Sequence, residues 1–301
     1  MKVSYVITAK SKDDPKLAQL LRSVSEQVGI EKETHVITEG TSESAKAIGI
    51  ARATHPIICI LASDNEFTNP FTSYIACKLI EEQEVIGAYP RYYYYSKSDP
   101  LLNRYFSLLG CNDPLAYYMR KADRFPLDEE AGHGFIVRDF KDSVPTLGDN
   151  AFFIKRDCIT RANLTSYYHI DVCEDLRRQG LHRYAEFNGH IWHKTGDGSL
   201  FNFFRRRARF GAQHAFNRDR RWHLVNPREL PRLCFFIIAA STLLHPAIRA
   251  VKGYTKIKDP AWFLHPLICL LTVLTYACLM IRLWVSPKSV LSFVHMKGQR
   301  V

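Results

Sequence analysis

The sequence predicts an α/β fold, a mostly parallel sheet flanked by helices, followed by C-terminal interfacial and transmembrane helices. Three observations predict it. Strand-like and helix-like patterns alternate from the first residues to about residue 62. The net charge of +11 over 301 residues is unevenly placed: residues 1–200 carry 24 Lys and Arg against 27 Asp and Glu, and residues 201–301 carry 17 against 3. The basic third also holds the longest apolar run, 22 residues between Asp259 and Arg282 with no charged side chain. As a helix rising ~1.5 Å per residue, that run crosses a hydrocarbon layer of ~30 Å.

Each element has its own signature. Residues 3–8 form a short apolar strand, and residues 15–27 carry Leu17, Leu20, Leu21 and Val24 on one helix face. A second strand is expected at 35–38, a second helix at 42–53 and a fully buried third strand at 56–62. This βαβαβ order specifies a parallel sheet, whose ligands bind beyond the carboxyl ends of the strands. Polar residues stand at all three ends: Thr8-Ala9-Lys10, Glu39-Gly40-Thr41-Ser42-Glu43 and Ser63-Asp64-Asn65-Glu66. No strand is followed by G-x-G-x-x-G or G-x-x-x-x-G-K-[ST], so the usual phosphate cradles are absent. Asp64 and Glu66 are hard oxygen donors, suited to a Mg²⁺ or Mn²⁺ that bridges to diphosphate oxygens.

This arrangement resembles the family 2 glycosyltransferases, which have the GT-A fold. Their loop after the second strand, Asp-Gly-Ser-x-Asp, is matched by Glu39-Gly40-Thr41-Ser42-Glu43, with Glu for Asp at both ends. Their Asp-x-Asp motif aligns with Asp64-Asn65-Glu66, or with Ala62-Ser63-Asp64 with its first Asp lost. Downstream, 145–156 matches the family's Gly- and Asn-bearing loop before a short strand, and 171–180 its acidic pair opening a helix with Arg and Gly behind. The resemblance implies an inverting transfer of one sugar from a nucleotide-diphosphate donor to an acceptor hydroxyl or phosphate. It implies donor contacts at Thr8, Ala9, Glu39, Ser63 and Asp64, metal contacts at Asp64, Glu66 and His193, and acceptor contacts at Asp149, Asn150 and Trp222. The base that takes the acceptor proton maps to Asp175, with Glu174 and Asp171 as alternatives.

The C-terminal third implies a membrane. Residues 201–210 mix four Phe with four Arg and lead to Arg218, Arg220, Arg221 and Trp222, the composition of a helix at a lipid surface. The run at 233–248 contains His245 and Pro246, so it either spans or re-enters. Lys and Arg flank both apolar runs and leave the orientation open. The sequence thus divides into a catalytic domain at 1–200, a basic interface segment at 201–230, a helical hairpin at 231–285 and a basic tail at 286–301. No apolar leader opens the chain, and the eight cysteines lack C-x-x-C spacing, so the catalytic domain is expected in the cytosol on an inner or cytoplasmic membrane. Membrane lipid and a lipid-linked or glycan acceptor are the expected partners. Nucleic acid is not, because the folded domain carries no basic excess. Processive relatives carry Gln-x-x-Arg-Trp, where this chain has Arg218-Asp219-Arg220-Arg221-Trp222. A polymer synthase and a non-catalytic membrane scaffold of the same fold are the rival readings.

Overall fold

The computed structural model describes residues 1–129, 132, 134–165, 168–194, 199–216 and 220–285, without the side chains of 42, 210 and 213–216. The expected tail at 286–301 and Arg218-Asp219 lie outside the described residues. In chain order the elements are β1 (Lys2–Thr8), α1 (Pro15–Ser25), β2 (Glu31–Ile37), α2 (Ser42–Arg52), β3 (Ile57–Ala62), β4 (Asn65–Phe67), α3 (Thr72–Glu82), β5 (Gly87–Tyr93), α4 (Leu101–Leu109) and α5 (Pro114–Tyr118). They continue with β6 (Phe135–Asp139), β7 (Phe152–Lys155), α6 (Arg156–Ile159), α7 (His169–Arg178), β8 (Arg183–His193), α8 (Leu200–Phe216), α9 (Leu230–Thr242), α10 (Leu244–Lys256) and α11 (Leu264–Val285). They group into two compact units. Met1–Tyr94, Asp123–Phe125 and Glu130–Lys194 make the first; Tyr95–Ala122, Pro126–Glu129 and Thr195–Val301 make the second. The stretch from 95 to 122, which the sequence places inside the catalytic domain at 1–200, is therefore grouped with the C-terminal helices.

The first unit is built on one mixed sheet in the order β2-β1-β3-β7-β5-β8-β4, with β6 also paired to β8. β1 lies between β2 and β3, parallel to both, and Thr8 is level with Ile37 on one side and Ala62 on the other. The loops that follow these three strands therefore open along one edge. β5 and β8 run with them and β7, β4 and β6 run against them, so the sheet is mostly parallel, as expected.

Local sequence explains the frame. Beyond the exposed Lys2, β1 is buried on both faces and apolar apart from Ser4 and Thr8, whereas edge strand β2 exposes Glu31 and Lys32, charges that discourage further strand pairing. α1 starts where the Asp14 carboxylate accepts the Lys16 backbone N–H at 2.9 Å, with Pro15 behind it. It turns Leu17, Leu20 and Val24 inward, as their spacing predicts. α2 is capped by Thr41 and Ser44 acting reciprocally. It lies so close to β1 that a Cβ on Gly49 would come within 2.3 Å of Val6 Cγ1.

The second unit is helical and distributes its residues differently. Leu243, at φ +59, breaks α9 from α10, and the pair is bent by 82°. Helix α11 with the turn before it, Pro260–Val285, is long and apolar enough to cross a membrane; the bent pair passes that test only if taken as one broken span. Its interior holds paired polar groups. Arg249 donates to both Asp128 carboxylate oxygens, at 2.5 and 2.7 Å, and to the Tyr117 hydroxyl at 2.8 Å. Tyr105 Oη lies 2.7 Å from His265 Nδ1, and Tyr276 donates to Asp113 at 2.6 Å. Of the aromatics expected to face lipid, Phe203 is instead buried against Phe106, ring centroids 4.8 Å apart, while Phe201 stays exposed.

Candidate active site

The site lies along the edge where β1, β2 and β3 end, within the first unit. The Thr8 carbonyl accepts the Ser63 N–H at 2.9 Å, and the Ala9 N–H donates to Ile37 at 3.1 Å. These bonds tie the three strand ends together. Ser63 Oγ donates to Asp14 Oδ2 at 3.0 Å, so Ser63 anchors the start of α1 as well.

Asp64 and His193 meet here because β4 pairs with β8. Asn65 is level with His193 in that ladder, which brings Nε2 of His193 to 3.7 Å from Asp64 Oδ2. The Nδ1 atom of His193 is buried and has no hydrogen-bond partner among the described residues. Glu66, one strand position beyond Asn65, pairs instead with the Lys194 ammonium, which also sits 4.2 Å above the Trp192 ring. Among the described residues no group of three His, Cys, Asp or Glu side chains could hold a metal unaided. Asp64 and His193 nevertheless suit one whose remaining positions are filled by diphosphate and water, because a carboxylate and an imidazole are its ordinary ligands. Glu66 is taken by Lys194 and stands apart from that pair.

A second cluster surrounds Lys46, a buried lysine on α2. Its ammonium lies 2.7 Å from Asp149 Oδ2 and 3.8 Å from Glu43 Oε1. Glu43 in turn accepts the His169 backbone N–H at 3.4 Å and faces His169 Nδ1 at 3.3 Å. Burial alone would raise both carboxyl pKa values, but the charges of Lys46 and His169 outweigh it and hold Glu43 and Asp149 at about 2. Burial works against the Lys46 charge too, and Asp149, Glu43 and more distantly Asp64 outweigh it and raise its pKa. The loop carrying Asp149 fits because residue 148 is glycine: at φ +110, a Cβ there would meet the His169 carbonyl oxygen at 2.6 Å.

Asn150 is a strut. It adopts φ +59, followed by Ala151 at φ +63, two strained residues in succession. Its amide donates to the Tyr93 hydroxyl at 2.9 Å and accepts from Asn65 at 3.0 Å, and its carbonyl accepts from Arg124. These bonds fix the Asp149 backbone against the Asp64 turn.

The remaining expected residues lie elsewhere. Glu39 is exposed and pairs with Arg52 at 2.7 Å, so only Glu43 of the Glu-Gly-Thr-Ser-Glu loop enters the cluster. Glu174 is clasped by Arg177 at 2.8 Å and Arg178 at 2.9 Å on its own helix, and Asp175 Oδ2 accepts the Asn163 N–H at 3.1 Å. At the start of that helix it is His169 that meets Glu43. Trp222 belongs to the second unit, buried with the Lys121 ammonium 5.4 Å from its ring centroid. Sequence reading missed Lys46, His169, Asn65 and Arg124; the one local signal was Lys46 three residues after Glu43 on a helix.

No family model matches the chain, and no curated protein does. Among solved structures it is similar to the mannosyltransferase PcManGT from Pyrobaculum calidifontis in complex with GDP-Man and Mn²⁺, at 12% identity over 91% of this chain and 86% of that one, TM-score 0.47. A mycobacterial protein shares 15% identity over 71% and 73% of the two chains, TM-score 0.43. S. aureus TarS shares 11% over 94% of this chain and 55% of its own length, TM-score 0.43. At these TM-scores the likenesses leave the chemistry to the chain's own residues.

Proposed function

We propose that the chain is a family 2 inverting glycosyltransferase that moves one sugar from a nucleotide-diphosphate donor to a membrane-associated acceptor. One observation carries the reading: Asp64 with His193, and the Lys46, Asp149, Glu43 and His169 cluster, lie along the edge where three parallel strands end. That is where this class of sheet binds ligands, and the charges suit a reaction that must bind a diphosphate and remove a proton.

The donor's diphosphate would lie toward Asp64 and His193, which would hold a Mg²⁺ or Mn²⁺. Such an ion, when bound, stabilises the negative charge that gathers on the leaving diphosphate. The ties among Thr8, Ala9, Ser63 and Asp14 keep the strand ends rigid beneath the nucleotide, so orientation costs little at the moment of reaction. The acceptor oxygen attacks the anomeric carbon from the face opposite the leaving group, which inverts that centre, and its proton passes to a base on α7, the helix of Asp175 and Glu174. The apolar helix Pro260–Val285 anchors the chain and keeps the reaction at a lipid surface.

The test uses purified full-length protein with UDP-glucose, UDP-N-acetylglucosamine and GDP-mannose, each with Mn²⁺ or with EDTA. At least one donor should raise the melting temperature and release its nucleoside diphosphate when Mn²⁺ is present. No stabilisation and no release with any donor would refute the reading.

A further inference from the structure

We propose that His169, oriented by Glu43, is the catalytic base, and that the acceptor group is consequently an alcohol and not a phosphate. The inference rests on the sugar-transfer reading above and deepens it.

The geometry is that of a carboxylate-held imidazole. Glu43 accepts from the His169 backbone and faces Nδ1 at 3.3 Å, so one carboxylate holds both the main chain and the ring of this residue. An ionised carboxylate on Nδ1 keeps the proton on that nitrogen and leaves the Nε2 lone pair outward. Nε2 has no hydrogen-bond partner among the described residues, and the side chain is 25% exposed, open enough for a substrate hydroxyl to approach. The charged groups facing the ring from the elements packed against it are Glu43 and Lys46 of α2 and Asp149 of the loop before β7. Glu174, clasped by two arginines, has no such freedom.

The step balances simply. The acceptor oxygen forms a bond to the anomeric carbon while its proton moves to His169 Nε2. The bond from the anomeric carbon to the diphosphate oxygen breaks, its electron pair leaving with the nucleoside diphosphate. The imidazolium, held by Glu43, then loses its proton to water. A phosphate monoester, with a second pKa of about 6, is already ionised at neutral pH and would need no base. A site that keeps one is built for a hydroxyl.

The test measures transfer by full-length protein in nanodiscs, with the three donors named above and with octyl glucoside or octyl phosphate as acceptor. His169→Asn preserves a hydrogen-bond donor toward Glu43 but cannot take a proton. It should lower turnover onto octyl glucoside by ~10²–10⁴-fold, with the donor-induced rise in melting temperature retained. Added imidazole should restore part of the activity of His169→Ala, which a merely structural histidine would not permit. The wild-type rate should rise from acid pH, and that acid limb should vanish in His169→Asn. The proposal is overturned if His169→Asn turns over within threefold of wild type, if it loses donor stabilisation along with turnover, or if wild type uses octyl phosphate and ignores the alcohol. Wild type that neither binds nor cleaves any donor refutes the sugar-transfer reading itself, whereas an active His169→Asn overturns only the base.

Discussion

The two units of this chain differ in what they leave exposed. In the first, β1 and β3 are almost wholly buried, buried charges are paired, as Arg91 is with Glu186, and few large apolar side chains are exposed. In the second, Arg249, Asp259 and His265 are buried while Ile238, Leu244, Met280 and Trp284 are exposed, Trp284 at 87%. A water-soluble helical unit gains nothing from such a surface. A unit surrounded by lipid does, provided every buried polar group has a partner, as Arg249 has in Asp128 and Tyr117. The contrast fits the division proposed above, with chemistry at a sheet edge and residence in a membrane.

The sharpest way to break that comparison is extraction. If Pro260–Val285 spans the bilayer as proposed, full-length protein in membranes should stay in the pellet almost entirely after alkaline carbonate. Release by carbonate or by high salt alone would show that only basic residues hold it, and the contrast in burial would need another cause.

A smaller effect probes the first unit. Lys46→Met leaves Asp149 and Glu43 without their buried cation and should cost about 3–5 kcal/mol, read from denaturant melts. The wild-type acid limb has a defined sign. Both carboxyls have folded pKa values of about 2, below their ordinary 3.8 and 4.5, so their contribution is complete above about pH 4.5 and is lost as pH falls toward 2. Removing Lys46 should shrink that limb. An unchanged melting profile between pH 5 and 2 in the variant would contradict the account of the cluster.

How far the sequence could be read depended on whether a feature is local. The strands at 3–8 and 56–62 and the helices from Pro15 and Ser42 were legible within two residues at each end, because apolar spacing and the Pro15 and Thr41 starts are written within one turn. Asp64 and the loop around Asp149 were legible as motifs. β4 was not, because its pairing joins Asn65 to His193 across the length of the domain, and three residues carry no periodicity. His169 was passed over for the acidic pair that follows it, since only the fold brings Glu43 to the start of α7. Grouping 95–122 with the C-terminal helices was equally hidden: its Tyr105 and Asp113 find partners more than 150 residues later.

The most direct measurement of the central claim is donor stabilisation of Asp64→Ala against wild type, in Mn²⁺ and in EDTA. Asp64 is the carboxylate shared by both alignments of the metal motif, and His193 lies beside it. Wild type should show a Mn²⁺-dependent rise in melting temperature with at least one nucleotide sugar and release its diphosphate. Asp64→Ala should fold with a similar melting temperature and lose both. Donor binding and turnover that survive in Asp64→Ala, or persist undiminished in EDTA, would contradict the account.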